Sequence, residues 1–152
     1  MSALTITPVT PDNVRAVIAL QVAPDQLAFI EPNAQSLAEV RTDPQFDWHP
    51  FALVRDGVAV GFAMVGAYNA AQGYIWLDRF MIDAALQHQG LGGQFLPLIC
   101  AQITHQWAVR DIVLSYAPTN RVAAQFYAKH GFEVVQGMTD GDDTMAVLHV
   151  RA

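Results

Sequence analysis

A short glycine-rich turn set between an apolar strand and an apolar helix constrains this chain more than any other stretch. Tyr74, Ile75, Trp76, Leu77, Phe80, Met81 and Ile82 are the β-branched, aromatic and aliphatic types that fill a buried strand. Asp83-Ala84-Ala85 leaves that strand. The following Gln87-His88-Gln89-Gly90-Leu91-Gly92-Gly93 is too rich in glycine for a helix interior but suits a tight loop opening into one. The apolar run that continues to Trp107 predicts a long helix. A helix start presents free backbone N–H groups and the positive end of the macrodipole, so it binds anions without a cationic side chain. Glycines lack the Cβ that would keep the backbone from closing on a pyrophosphate. The stretch reads as a phosphate cradle.

Three cradle patterns compete. The P-loop pattern is absent, because no lysine follows any of these glycines. The dinucleotide pattern G-x-G-x-x-G fails at its third position, where Phe95 stands. What fits is [QR]-x-x-G-x-[GA], read as Gln87-x-x-Gly90-x-Gly92, and this stretch resembles the acetyl-CoA signature of the GNAT N-acetyltransferase superfamily. A second segment, Asn120 to Phe132 (NRVAAQFYAKHGF), is similar to the family's N-x-x-A-x-x-[FL]-Y-x-x-x-G-F. The resemblance implies a mixed, mostly antiparallel α/β sheet flanked by helices, with a central parallel strand pair splayed to hold coenzyme A. It also implies a cofactor, acetyl-CoA, and a possible homodimer through late strands.

The bulk properties agree. A chain of 152 residues is expected to form one domain over 1–152, large enough for a real core. Hydrophobic residues make up 53% against 14% charged, which excludes a disordered chain. No apolar run approaches the roughly 20 residues of a membrane span, and MSALTITPVT has no signal-peptide pattern. The lone Cys100 falls on the core-like helix and cannot pair internally, so a reducing cytoplasm is expected. The net charge of −6 argues against nucleic acid and favours a cationic partner.

In chain order, residues 4–9 alternate as a first strand, and Thr10 is placed as an N-cap with Pro11 at the first helical position. A helical face follows from Val14 to Val22, then a break over 25–33 and a short helix over 34–41. Residues 51–55 and 58–65 flank Asp56-Gly57 as a β-hairpin. After the cradle helix come a strand over 111–115, a helix over 120–130 stopped by Gly131, and a hairpin of 132–135 with 145–150 around the acidic loop 140–143. Pro97, inside the cradle helix, removes one backbone bond but leaves the first amides free.

Acetyl transfer demands positioning, an oxyanion donor, a neutral amine and a proton for the leaving thiolate. The resemblance places the pantetheine arm against the central strand, contacting Phe80, Met81 and Ile82, with the Phe80 amide as oxyanion donor. It assigns Gln87, His88, Gln89, Gly90, Leu91, Gly92 and Gly93 to the phosphates, and Asn120, Ala124, Tyr127 and Lys129 to the rest of the cofactor. Gln87 in place of the commoner Arg gives up a charge-assisted contact. Tyr127 is the candidate general acid, since a phenol near its ordinary pKa of about 10 stays protonated at neutral pH. Asp78, two residues before Phe80 and expected on the same strand face, is either a base, a cation anchor or a structural partner of Arg79 or Arg55.

WLDRFMID around Asp78 also resembles the spermidine/spermine acetyltransferase branch, as does FIEPN around Glu31, which makes a polyamine the expected acceptor and Glu31 a candidate contact. Trp76 and Tyr74 are either cation–π partners of that acceptor or core residues. Other amines (an amino-sugar antibiotic, an amino acid, a protein N-terminus) and a catalytically idle CoA-binding module remain as alternatives. The five histidines form no metal pattern, so no metal is expected.

Overall fold

The structure is a computed structural model that describes residues 3–150. Its elements are β1 (Leu4–Pro8), α1 (Val14–Ala19), α2 (Asn33–Thr42), β2 (His49–Arg55), β3 (Val58–Asn69), β4 (Tyr74–Ile82), α3 (Leu91–Gln106), β5 (Asp111–Tyr116), α4 (Arg121–Lys129), β6 (Glu133–Asp140) and β7 (Asp143–His149). The strands form a seven-stranded sheet in the order β1-β2-β3-β4-β5-β7-β6. Only the β4–β5 pair is parallel, because α3 carries the chain back across the sheet between them. The expected hairpin at Asp56-Gly57 is present, and both residues have positive φ (51° and 81°), as a turn matched to strand twist requires.

Each sheet face has its own core. On one face α3 packs Phe95, Leu96, Ile99 and Ile103 against Ile75, Leu77 and Val65. On the other, Val17 of α1 and the partly buried Leu37 and Val40 of α2 cover Phe62, Met64 and Met81. Pro97 does not break α3, which runs unbroken from Leu91 to Gln106.

Local chemistry was overridden at the first helix. Thr10 does not cap it: the Thr10 N–H donates to Asn13 Oδ1 (2.8 Å) and Asn13 Nδ2 donates to the Pro8 carbonyl (3.0 Å), folding 10–13 into a turn of its own. The helix also stops at Ala19, short of Val22. There the chain turns extended and ties to the loop after β4, through Gln21 N–H to Asp83 Oδ1 (2.9 Å) and Ala84 N–H to the Gln21 carbonyl (2.7 Å). The last hairpin is longer than the sequence suggested, with Asp140 paired to Asp143 across a tight turn.

Two irregularities in β4 prepare the site. β4 and β5 pair only at Tyr74–Asp111, Ile75–Ile112 and Trp76–Val113. Beyond these the strands part, and residues 77–82 have no partner on that edge. Against β3, Met64 faces Asp78 and Phe62 faces Met81, so β4 holds one extra residue. That bulge centres on Arg79, whose φ is 56°. The extra residue reverses the alternation. Asp78 shares a face with Met64, on the α1–α2 side, whereas Phe80 and Ile82 pack on the α3 side. The sequence expectation that Asp78 and Phe80 share a face is therefore corrected, because period-2 alternation holds only without a bulge.

Candidate active site

A cleft of about 550 Å³ opens where β4 and β5 diverge. Its cofactor-side wall begins at the end of β4 and the start of α3. His88 (φ 63°) and Gly90 (φ 78°) are both left-handed, which turns the loop sharply and leaves Gly90 as the N-cap of α3. Such alternation of backbone conformation makes a concave nest of N–H groups at the positive helix end. A Cβ on Gly92 would stand 3.4 Å from the Phe126 ring, and one on Gly93 would stand 3.4 Å from His130 Nε2. The glycines thus let α3 and α4 approach closely beside the cradle. Gln87 lines the cleft, but its amide is engaged: Nε2 donates to the Ile82 carbonyl (2.9 Å) and to Gln26 Oε1 (2.8 Å). It braces the loop to the strand end. These features fit a pyrophosphate at Gly90–Gly93 and an extended arm along the unpaired β4 edge.

On the α3 side, α4 supplies an aromatic layer. Phe126 stacks on Phe80 (6.1 Å between ring centres) and packs edge-on to Tyr127 (5.2 Å). Tyr127 stacks on Tyr116 at 6.1 Å and meets Phe132 at 5.6 Å. Burial among these rings pushes the phenol above its ordinary pKa, and the negative charge of Asp78 adds to the shift. Tyr127 hydroxyl has no hydrogen-bond partner among the described residues, and it faces the cleft. Asn120 caps α4 by accepting from the Ala123 N–H (3.2 Å), and it too lines the cleft.

The lining of the cleft is also acidic. Asp25, Glu31, Asp78, Asp140 and Asp143 line the cleft, and Arg79 is the sole Lys or Arg among the described lining residues. Arg79 is held by Glu31 (3.0 Å), Glu39 (3.1 Å) and Asp78 (3.6 Å). Burial raises the Asp78 pKa; Arg79 and its backbone N–H, which donates to Asp78 Oδ1 at 3.0 Å, pull it back, while Glu31 and Glu39 push it up. Asp143 is also raised, by burial and then by the negative charges of Asp140, Asp142 and Glu31.

The structure brings together most of the residues singled out in the sequence: Glu31, Asp78, Phe80, Met81, Ile82, Gln87, His88, Gly90, Leu91, Gly92, Gly93, Asn120 and Tyr127 all line the cleft. Tyr74 and Trp76 do not. They sit in the half of β4 that is zipped to β5, where no gap exists. Gln89, Ala124 and Lys129 also fall outside the lining. Arg55 pairs with Leu4 and Val58 at the far end of β2, so the partner of Asp78 is Arg79. Sequence reasoning missed Glu39 and Ser36 around Arg79, and the acidic hairpin tip as part of the mouth. The run Asp140-Gly141-Asp142-Asp143 was the one available signal for the tip. Cys100 is buried with its thiol pushed up to about 12 by burial, which leaves it inert.

Residues 14–132 match the model of the Acetyltransferase (GNAT) family. The chain belongs to the GNAT family. Membership makes it an acetyl-CoA-dependent N-acetyltransferase. Among curated relatives it is 32% identical over 135 residues to the spermine/spermidine N(1)-acetyltransferase of Bacillus subtilis (strain 168), covering 86% of this chain and 88% of that one. The fold is shared with PaiA N-acetyltransferase from Thermoplasma acidophilum, solved with coenzyme A (TM-score 0.70, 19% identity, 97% of this chain and 99% of that one). It is shared equally with AAC(6')-Ib solved with ribostamycin and coenzyme A (TM-score 0.78, 16% identity, 97% and 94% covered). No helix of the described residues is long and apolar enough to cross a membrane.

Proposed function

We propose that this enzyme acetylates a primary amine of a small polycation, spermidine or spermine, in the cytoplasm. The observation that carries the reading is the acidic lining: five Asp and Glu residues line the cleft against one guanidinium, already held by three carboxylates. A chain of ammonium groups would find opposite charge at successive positions there, while a neutral or anionic acceptor would find none. The curated relative named for spermine and spermidine supports the same class.

Acetyl-CoA would be held by the amides of residues 90–93 and by the unpaired β4 edge, and would supply an activated acetyl thioester there. The Phe80 backbone N–H is the candidate donor to the thioester carbonyl. Because the bulge at Arg79 sends Asp78 and Phe80 to opposite faces, acceptor and cofactor approach the gap between β4 and β5 from opposite sides. Direct attack across the gap needs no acyl-enzyme. Asp78, its pKa raised by burial, anchors the incoming ammonium and is suited to accept its proton. As the C–S bond breaks, Tyr127 would give its proton to the departing sulfur, and the second proton shed by the acetylated nitrogen would restore the phenol.

The test is free-thiol release across an amine panel, with the salt dependence of KM. Spermidine and spermine are expected to be turned over with a KM that rises with ionic strength, and Glu31→Gln to raise it further. Turnover restricted to aminoglycosides, or a KM indifferent to salt, would refute the polyamine assignment.

A further inference from the structure

Arg79 occupies the left-handed bulge residue between acceptor-side Asp78 and cofactor-side Phe80, a backbone region that long side chains seldom enter. Its side chain is 16% exposed and reaches three separate segments. Nη1 lies 3.0 Å from Glu31, ahead of α2, and donates to Ser36 Oγ at 3.1 Å. Nη2 lies 3.1 Å from Glu39 within α2, and Nε lies 3.6 Å from Asp78 on its own strand. Only a planar fork with several donors can serve partners in these directions at once; an ammonium is a single point charge. Glu31 and Asp78 line the cleft, and Glu39 does not. Ser36 is fully buried.

We propose that Arg79 is a positioning residue for the acceptor, fixing Glu31 and Asp78 at a set spacing so that the acidic lining discriminates among polycations by the separation of their ammonium groups. Glu39 and Ser36 anchor the guanidinium from behind. The inference rests on the polyamine reading for its substrate, though not for its geometry. Charge supports it. Three carboxylates share one guanidinium, so the cluster keeps an excess of negative charge to attract a cation while Arg79 prevents the carboxylates from repelling one another apart. Asp78 is faced by Arg79 from its own strand, by Glu31 and Glu39 from the α2 side and by Tyr127 from α4. Of these, Arg79 alone lowers its proton affinity.

Two variants separate charge from fork. Arg79→Gln removes the charge, and Arg79→Lys keeps it without the fork. Both are read by steady-state kinetics on spermidine, spermine and a monoamine, by coenzyme A binding, and by the ¹³C carboxyl titration of Asp78. Arg79→Lys is expected to raise KM for spermidine about tenfold and to blur the spermidine-to-spermine preference, with coenzyme A binding within about twofold. Arg79→Gln is expected to move the Asp78 midpoint, and the acidic limb of kcat/KM, to higher pH. A merely structural arginine would lower the yield of folded protein, and its loss would move the Asp78 midpoint through charge alone, without changing the spermidine-to-spermine preference. Where Arg79→Gln does not fold, the spermidine-to-spermine preference of Arg79→Lys decides. A polyamine preference unchanged in the folded variants overturns the proposal. A shifted midpoint in a protein that never acetylates spermidine sinks the polyamine reading and leaves the positioning role standing.

Discussion

Replacing Tyr127 by Phe isolates a single proton. The ring stays in its aromatic layer, 6.1 Å from Tyr116, 5.2 Å from Phe126 and 5.6 Å from Phe132, so packing is conserved. The hydroxyl makes no hydrogen bond among the described residues, so its loss leaves no buried partner orphaned. Stability should therefore change by less than about 1 kcal/mol, or roughly 2–4 °C in Tm for a chain of this size. Catalysis should change far more. A positioned general acid contributes roughly 10²–10⁴-fold, so kcat is expected to fall about 100-fold, equivalent to about 2.7 kcal/mol of lost transition-state stabilisation. Coenzyme A affinity should stay within about twofold, since the lost group acts only as the sulfur departs.

The wild-type pH profile carries a second sign. Burial and the Asp78 charge hold the phenol above its ordinary value, so it keeps its proton throughout the neutral and mildly alkaline range. No fall in kcat due to this group is expected below its ordinary pKa of about 10. Free-thiol release at saturating acetyl-CoA, with thermal unfolding and calorimetric coenzyme A binding alongside, measures all three quantities. A kcat within about threefold of wild type, in a variant with unaltered Tm, would remove Tyr127 as the acid.

Other perturbations follow from the same geometry. Asp78→Asn should lower polyamine turnover while raising Tm at neutral pH; a carboxyl with a raised folded-state pKa favours folding at low pH and loses that contribution as pH rises through it, so the gain should shrink from pH 7 to pH 4 in a series of melts. A gain that grows on acidification contradicts the sign. Gly61→Ala would set a Cβ 2.5 Å from the Met81 carbonyl oxygen, a clash of backbone with backbone. It should cost about 3 kcal/mol, or roughly 6–12 °C in Tm, and a near-native melt would argue against the β3–β4 register. Gly90→Ala forces a side chain into left-handed backbone at the cradle (φ 78°). It should raise KM for acetyl-CoA about tenfold through about 1–2 kcal/mol of strain, with kcat at saturation almost unchanged; the opposite split would place Gly90 outside the cofactor site.

The cradle was legible in the sequence because its determinants are local. Glycines tolerate positive φ wherever they stand, a helix start exposes its amides regardless of what packs behind it, and Gln87 to Gly93 form one contiguous stretch. The hairpin at Asp56-Gly57 and the aromatic helix from Arg121 to Lys129 were legible for the same reason. The proposed acceptor side was legible only in part: Glu31 and Asp78 could be named from the sequence, but not their arrangement. One residue added at Arg79 shifts every later side chain of β4 to the opposite face, and an alternating pattern carries no mark of where that addition falls. The partners of Arg79 come from Glu31, Ser36 and Glu39, forty or more positions away, and the tip at Asp140 and Asp143 reaches the same mouth only through the order of the sheet. Short-range chemistry thus dictated where an anion can sit. Which charges meet across the gap, and which side of the sheet each reactant enters from, depends on pairing register and on long-range contacts that exist only once the chain has closed on itself.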